Sequence, residues 1–244
     1  MSYRIIIPSR FSSSRLPGKP LADIAGKPMI QRVYEAAIKS SASDVIIAAD
    51  DQRIVDVCEA FGAPVCVTSP EHPSGTDRLQ EAASILNLKD SDVIVNVQGD
   101  EPLMPVSVIE QVADNLIQRP DVAIATLCEP ITETEQLSNP NVVKTMFSAT
   151  GRALYFSRSE IPHPRDDRSQ QIAYRHLGIY AYRVRFLHDY VSWPEVPIEQ
   201  CEKLEQLRAL HFDAAMHVDI ACDTIPPGVD TQADLDVVRS LFEQ

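Results

Sequence analysis

The sequence predicts an α/β fold with a mostly parallel, twisted sheet and a smaller second α/β lobe. Three observations support this prediction. Short apolar runs alternate with amphipathic helical patterns over the first 121 residues. The runs are rich in β-branched residues, as is usual for strands that helices cover on both faces. Beyond residue 121 the alternation becomes irregular, which indicates a change of architecture.

Four strand–helix pairs are predicted in the first half. The strands are Arg4–Pro8, Val45–Ala49, Val65–Thr68 and Val93–Val97. The helices that follow them are Met29–Lys39, Arg53–Phe61, Arg78–Leu86 and Val106–Ile117. This order favours a parallel sheet, because each helix carries the chain back to the edge where the next strand begins.

The second half is predicted to contain fewer helices. Its strands are Val122–Cys128, Val142–Phe147, His176–Arg183 and one near Ala215–Ala221. Proline and charge are concentrated in Pro162–Gln171, which predicts a loop. Helices resume at Glu199–Phe212 and Ala233–Phe242.

Composition excludes several classes of protein. The net charge of −13, from 22 basic and 35 acidic side chains, opposes binding to nucleic acid or to an anionic membrane. No apolar run is long enough to cross a bilayer or to form the core of a signal peptide, so we expect a cytoplasmic protein. The five cysteines form no C-x-x-C pair, which favours reduced, buried thiols over disulfides or a zinc site.

The loop after the first strand concentrates positive charge. Arg10, Arg15 and Lys19 follow the buried run, with Gly18 among them. In an α/β fold this loop lies where phosphates bind, although a solvated turn would have the same composition. The spacing is not that of a Walker A loop.

Two later segments also follow strands. Ser74–Arg78 precedes a helix, so that Thr76 or Asp77 would cap it and free N–H groups would meet an anion. A plain helix cap with a solvated Arg78 is the alternative. In Asn96–Pro102, Asp100 is a candidate magnesium ligand, and the alternative is an ordinary acidic helix N-terminus.

Three further candidates lie in the second half. Asp230 precedes a capping box of Thr231 and Asp234 and is not needed for it, which makes its carboxylate a candidate second metal ligand. Spacing alone does not bring Asp230 to Asp100. His176 and Tyr180 share a strand face, and Glu205 adjoins a leucine stripe; a buried histidine and a solvated helix face are the alternatives.

Seven motifs together resemble the 3-deoxy-manno-octulosonate cytidylyltransferase family. They are, in order, IIIPSRFSSSRLPGKPL, HPSGTDRL, VIVNVQGDEPL, ALYFSRSEIP, RHLGIYAY, KLEQLR and PPGVDTQADL. The resemblance implies a nucleotide-diphospho-sugar transferase-like fold, Mg²⁺ as cofactor and a homodimer. It implies one cytidylyltransferase domain over residues 1–244, with nucleotide binding mainly in 1–121, sugar binding and dimerisation mainly in 122–230, and a C-terminal helix in 231–244.

The implied reaction joins CTP and 3-deoxy-D-manno-octulosonate (Kdo) into CMP-Kdo, with release of diphosphate, which activates Kdo for lipopolysaccharide synthesis. Acceptors such as 8-amino-Kdo or another sugar acid remain alternatives, and a nucleotide-binding regulator without turnover ranks below them. The catalytic residues implied are Arg10, Arg15, Lys19 and Asp100. Nucleotide-binding residues would be Pro8, Ser9, Arg10, Arg15, Lys19, Ser74, Gly75, Thr76, Arg78, Gln98 and Asp100. Sugar-binding residues would be Gln98, Arg158, His176, Tyr180, Glu205 and Gln206, with Arg158 or the metal meeting the sugar's carboxylate. The metal ligands would be Asp100 and Asp230.

Overall fold

A mixed sheet of nine strands organises the chain in a computed structural model that describes residues 2–12, 16–166 and 172–243. The strands of the described residues are β1 (Tyr3–Ser9), β2 (Asp23–Ile24), β3 (Lys27–Pro28), β4 (Asp44–Ala49), β5 (Val65–Val67), β6 (Val93–Asn96), β7 (Ile124–Pro130), β8 (Lys144–Phe147), β9 (Ala153–Ser157), β10 (Tyr174–Arg183) and β11 (Met216–Ile220). The helices are α1 (Met29–Ala37), α2 (Gln52–Ala60), α3 (Gly75–Ile85), α4 (Val106–Ile117), α5 (Thr134–Ser138), α6 (Val184–Ser192), α7 (Pro197–Glu202), α8 (Gln206–His211) and α9 (Gln232–Phe242), with a 3₁₀ helix at Lys19–Leu21.

The predicted mostly parallel sheet is confirmed. Its main path is β11-β7-β10-β6-β1-β4-β5, and only β10 runs against the others along it. The chain moves from β1 through β4 to β5, then returns to the other side of β1 as β6. The carboxyl ends of β1 and β6 therefore flank the crevice where α/β sheets usually bind ligands.

The second half extends this same sheet. Strand β10 lies between β6 and β7, and β11 pairs with β7 at the outer edge. The hairpin of β8 and β9 branches from β10. Side chains of both halves thus reach one ligand-binding edge.

Two apolar clusters cover the two faces of the sheet. Ile5 and Ile7 of β1 pack into one cluster with α1, α2 and α4, whereas Ile6 packs into the other with α3 and α6. The alternation follows from the two-residue period of a strand, and burial on both faces explains the continuous Ile-Ile-Ile run.

Several local predictions were wrong. The helix predicted at Glu199–Phe212 is two short helices, because Lys203 adopts a left-handed conformation (φ 53°, ψ 49°) that ends α7. Strand β9 and helices α5 and α6 had not been predicted. Helix α3 is capped by Ser74, whose hydroxyl accepts from the Asp77 N–H, and not by Thr76 or Asp77. Two cysteines are exposed, and the other three are buried.

The C-terminal helix α9 binds the segment that follows Lys19. Leu235 and Val238 of α9 pack in a third apolar cluster with Ile24 of β2. The Arg239 Nε also donates to the Asp23 carbonyl at 2.8 Å. The predicted capping box is confirmed, since Thr231 and the Asp234 carboxylate exchange hydrogen bonds at the start of α9. This packing fixes the entry of the chain into α9, where Asp230 lies.

None of the helices within residues 2–12, 16–166 and 172–243 has the length and apolar character needed to span a lipid bilayer.

Two adjacent valines of α9 test how much its packing contributes. Val238 is fully buried, whereas Val237 is 52% exposed. We expect Val238→Ala to lower the free energy of unfolding by about 1.5–3 kcal/mol, the cost of removing two buried methyl groups. Val237→Ala makes the same change in helix propensity and should stay within about 0.5 kcal/mol. Equal effects of the two substitutions in urea denaturation would contradict the observed packing of α9.

Candidate functional site

Two adjoining pockets lie at the carboxyl ends of β1 and β6. The first, the loop pocket, has a volume of about 340 Å³. It is lined by Pro8, Ser9, Arg10, Ser12, Lys19, Pro20, Gly75, Gln98, Gly99 and Asp100. The second, the aromatic pocket, has a volume of about 300 Å³. Its lining includes Thr76, Asn96, Tyr180, Tyr182, Phe186, Tyr190, Lys203, Glu205 and Gln206. Gly75 and Gln98 line both pockets, so the two are continuous.

Lys19 draws three chain segments together at the loop pocket. Its Nζ lies 2.6 Å from Asp100 Oδ2 and 3.3 Å from Asp230 Oδ1, and it also donates to the Val229 carbonyl at 3.0 Å. Gly18 makes this approach possible, because it turns the chain into the 3₁₀ helix with a left-handed φ of 67°. The structure thus brings Asp100 and Asp230 to the same point, which the sequence had left open.

Arg10 places a second positive charge in the loop pocket. Its Nη2 is buried and has no hydrogen-bond partner among the described residues. A buried guanidinium nitrogen without a partner is a costly arrangement unless a ligand completes it. The third predicted cation of this loop, Arg15, lies outside the described residues.

Arg78 holds the structure from behind the pockets and lines neither of them, although the sequence placed it among the nucleotide-binding residues. The side chain is fully buried and donates to Asp50 Oδ2 at 3.0 Å and to the Thr68 hydroxyl. Burial lowers the pKa of Arg78, an effect that the Asp50 carboxylate opposes. A fully buried arginine is stable only with such partners, so its ion pair leaves no access to a ligand.

Asp50 connects that buried pair to the first loop. Its Oδ1 accepts a hydrogen bond of 3.0 Å from the backbone N–H of Phe11, the residue after Arg10. Asp50 was not among the residues predicted from the sequence. The signal was present, since this carboxylate directly follows β4 just as Asp100 closely follows β6.

The N-terminus of α3 contributes to both pockets. Ser74 caps the helix and lines neither pocket, while Gly75 lines both. The Thr76 hydroxyl donates to Glu205 Oε2 at 2.9 Å, which orients that carboxylate in the aromatic pocket. Desolvation raises the pKa of Glu205, and the hydrogen bond from Thr76 opposes the rise.

Stacked rings form one wall of the aromatic pocket. The ring centroids of Tyr180 and Tyr182 are 5.4 Å apart, and Phe186 follows Tyr182 at 5.7 Å. Tyr180 was predicted from the sequence, whereas Tyr182, Phe186 and Tyr190 were missed. Tyr182 is two residues beyond Tyr180 and so shares its face of β10, a signal that was available.

His176 and Arg158 line neither pocket, although the sequence placed both among the sugar-binding residues. The His176 ring lies between Phe156 and Tyr180, with centroids at 4.9 and 5.3 Å. Its Nε2 is 3.0 Å from the hydroxyl of Thr126. Desolvation lowers the pKa of His176 to about 3, so the imidazole is neutral and supports Tyr180 from behind.

Each guanidinium nitrogen of Arg158 donates to a backbone carbonyl. It donates to the Glu202 carbonyl at 2.6 Å, to the Pro140 carbonyl at 2.8 Å and to the Lys203 carbonyl at 3.4 Å. These bonds hold the turn between α7 and α8, where Lys203 lies, and Arg158 itself does not line the aromatic pocket.

A third carboxyl group adjoins Asp100 and Asp230. Burial, followed by the two neighbouring carboxylates, raises the pKa of Glu101 to about 8. Its Oε2 is buried without a hydrogen-bond partner among the described residues. The approach of Gly228 is close, since a Cβ there would lie 3.3 Å from Glu101 Cγ. Within the described ranges, no three His, Cys, Asp or Glu side chains form a metal-binding group by themselves.

Comparisons with known proteins agree with the resemblance seen in the sequence. Residues 4–216 match the model of the cytidylyltransferase family. A 3-deoxy-manno-octulosonate cytidylyltransferase of Alcanivorax borkumensis is 53% identical over 98% of both chains. One from Coxiella burnetii is 51% identical over 99% of this chain and 100% of its own length.

Solved structures extend the likeness to the fold. A CMP:2-keto-3-deoxy-manno-octonic acid synthetase complexed with CTP superposes with a TM-score of 0.94 at 41% identity, covering 100% of this chain and 99% of the other. A cytidylyltransferase from Leptospira borgpetersenii, at 16% identity and a TM-score of 0.66, shares the fold.

The hydrogen bond from the Phe11 N–H to Asp50 predicts a local effect at that amide, which can be measured separately from the stability of the whole protein. Asp50→Ala removes its acceptor, so we expect hydrogen exchange at Phe11 to accelerate about tenfold or more, as loss of a bond to a charged acceptor implies. The same change leaves Arg78 buried and unpaired, which should lower the free energy of unfolding by about 3–5 kcal/mol. Hydrogen exchange and urea denaturation measure the two effects.

The double variant Asp50→Ala/Arg78→Met separates the two contributions. It removes the unpaired charge and should regain most of the global stability, while exchange at Phe11 stays fast. Asp44→Ala is the control, because Asp44 ion-pairs with Arg4 at the opposite end of β4. Normal protection of Phe11 in the double variant would show that Asp50 does not hold the loop.

Proposed function

The chain belongs to the 3-deoxy-manno-octulosonate cytidylyltransferase family, and from that premise we propose that it transfers CMP from CTP to Kdo. The observation that carries the proposal is full-length identity of 53% to relatives of that name. In the reaction the anomeric hydroxyl oxygen of Kdo bonds to the α-phosphorus of CTP. The bond from that phosphorus to the oxygen bridging the β-phosphate breaks, diphosphate leaves, and the hydroxyl proton is released.

We assign CTP to the loop pocket. Its triphosphate needs cations and backbone donors, and the pocket offers Arg10, Lys19 and the start of α3 at Gly75. The unpartnered Nη2 of Arg10 supports this assignment, since a phosphate oxygen would complete it. Arg10 and Lys19 then stabilise the charge that accumulates on the departing diphosphate.

We assign the sugar acid to the aromatic pocket. Tyr180, Glu205 and Gln206 present a ring, a carboxylate and an amide to it, which suits a molecule with several hydroxyl groups. Gln98 lies where the two pockets join, with its Nε2 3.4 Å from the Gly178 carbonyl. The acceptor hydroxyl and the α-phosphorus would meet at this junction.

Most of the catalysis in this proposal is positioning. Nucleotidyl transfer needs no covalent intermediate with the protein, so the residues act by aligning the two substrates and by neutralising charge. Asp50 and Arg78 hold the first loop, and Arg158 holds the turn that carries Lys203. The residues predicted to touch substrate and found behind the pockets thus keep the pockets in shape.

The residues near Lys19 fit a magnesium ion. Asp100 and Asp230 provide two hard oxygen donors at one point, as Mg²⁺ prefers, and substrate phosphates with water would complete its coordination. Bound there, Mg²⁺ would offset phosphate charge and lower the pKa of the acceptor hydroxyl.

Diphosphate release from CTP, Mg²⁺ and Kdo tests the function, with 8-amino-Kdo and a sialic acid as rival acceptors. We expect Kdo to be turned over with the highest kcat/KM. We expect Asp230→Asn to lower kcat about 100-fold or more, because it removes a charge from the transfer site. Asp236→Asn, on the exposed face of α9, is the control and should leave kcat within twofold.

Each outcome of this assay has a definite meaning. No CTP-dependent release with any acceptor overturns the proposed function, and faster turnover of a rival acceptor overturns the choice of Kdo. Near-normal turnover by Asp230→Asn would instead overturn the assignment of that carboxylate alone.

A homodimer is also proposed, with the β8–β9 hairpin in its interface. Among the described residues, β9 itself pairs only with β8, and Arg152 just before it bridges to His217 of β11, which leaves the edge beyond that bridge without a strand partner. Leu154 and Tyr155 on β9 are 55% and 37% exposed. Sedimentation at micromolar concentration should give twice the chain mass of 27.1 kDa, and Leu154→Lys should shift it toward the monomer. A wild-type monomer would contradict the proposal.

A further inference from the structure

We propose that Lys203 binds the carboxylate of the acceptor sugar and thereby selects acids over neutral sugars. The inference rests on the proposed function, since it takes the aromatic pocket as the acceptor site. The resemblance had left this carboxylate to Arg158 or to the metal, and the structure offers a different cation.

Lys203 is the cation of the aromatic pocket. Among the described residues that line this pocket, no other carries a positive charge. The Lys203 ammonium group makes no hydrogen bond or ion pair with any described residue, in contrast to Lys19, which already holds two carboxylates. An anionic ligand in the pocket therefore meets a free positive charge at Lys203.

Arg158 is committed elsewhere. Its Nε, Nη1 and Nη2 donate to the carbonyls of Glu202, Pro140 and Lys203. Turning the guanidinium toward the pocket would break all three bonds and release the turn between α7 and α8. The same bonds instead fix the backbone of Lys203, so that Arg158 positions the lysine.

The backbone of Lys203 is held in a left-handed turn beside the aromatic pocket. The residue has φ 53° and ψ 49° at the end of α7, a conformation in which glycine is the favoured residue. Lys203 keeps this conformation, as Ala25, Asn87 and Asp213 do elsewhere among the described residues, so it fixes the course of the backbone and by itself assigns no role to the side chain. Its N–H bonds to the Glu199 carbonyl, and together with the bond from Arg158 this holds the strained turn in place.

The negative charge of Glu205 in the aromatic pocket is a further reason for a cation there. The Glu205 carboxylate lines the same pocket and is fixed there by Thr76. A sugar acid that enters beside Glu205 is repelled by it unless a positive charge offsets the repulsion. Lys203 is two residues away along the chain and lines the same wall, so Glu205 can accept sugar hydroxyls while Lys203 meets the carboxylate.

Lys203→Gly gives a test in which stability and affinity change in opposite directions. We expect the free energy of unfolding to be unchanged or higher, because glycine relieves the left-handed backbone. The KM for Kdo should rise 10- to 100-fold, while the KM for CTP stays within twofold. Lys203→Arg keeps the charge and should regain part of the affinity. Asp213→Gly is the matched control, since Asp213 is also left-handed (φ 57°), lies outside the two pockets and should leave both KM values unchanged.

A pair of ligands isolates the contact with the carboxylate. The probes are 2-deoxy-Kdo, which lacks the attacking hydroxyl, and its C1 amide, with binding measured by calorimetry in the presence of CTP. The wild-type protein should bind the acid at least tenfold more tightly than the amide. In Lys203→Met that ratio should fall to near one, chiefly through weaker binding of the acid.

The outcomes separate this inference from the proposed function. Weaker binding of acid and amide by the same factor would show a structural role for Lys203 and overturn the inference. An unchanged KM for Kdo in Lys203→Met would also overturn it. Failure of the wild-type protein to use Kdo at all would instead count against the proposed function.

Discussion

The meeting of three chain segments on the Lys19 ammonium group is the contact on which the rest of the site depends. Asp100 lies 81 residues from Lys19 in sequence and Asp230 lies 211 residues away, yet both carboxylates contact one nitrogen. Adjacent strands β1 and β6 deliver the first two residues to one edge of the sheet. Helix α9 delivers the third, because it packs on the segment just beyond Lys19. Like charges at Asp100 and Asp230 would repel without this cation, so the ammonium group determines their spacing.

A second set of charged side chains lies outside the pockets and stabilises the backbone around them. Two arginines that the sequence placed at the ligands, Arg78 and Arg158, hold backbone through Asp50 or through carbonyl groups. An arginine in a loop motif looks the same in sequence whether it contacts phosphate or a carbonyl oxygen. Their surroundings separate the two roles: Arg78 is fully buried and lines neither pocket, whereas Arg10 lines the loop pocket. The sequence thus located the important segments more reliably than the role of each side chain within them.

The fold was predictable where the pattern was local. The Ile5–Ile7 run of β1 and the capping box of α9 are encoded within a few residues, and the structure contains both. The break at Lys203 was not predictable, because the leucine spacing across Glu199–Phe212 suits one continuous helix. Carbonyl contacts from distant Arg158 oppose that local preference. The meeting of Asp100 with Asp230 had no sequence signal either, since it follows from the packing of α9 on the segment beyond Lys19.

The two pockets differ in the number of cations that line them, and this difference supports the proposed substrate for each. The protein carries a net charge of −13, so a cation that faces a pocket stands out from its surroundings. Arg10 and Lys19 line the loop pocket and Lys203 lines the aromatic pocket; in the proposed assignment the first would meet the several negative charges of a triphosphate and the second the single charge of a sugar acid. Exchanging the two ligands would leave the triphosphate with one cation and Glu205 as a neighbour. In the proposed assignment, the number of cations therefore suits each substrate to its pocket, and the shared lining at Gly75 and Gln98 would bring their reacting ends together.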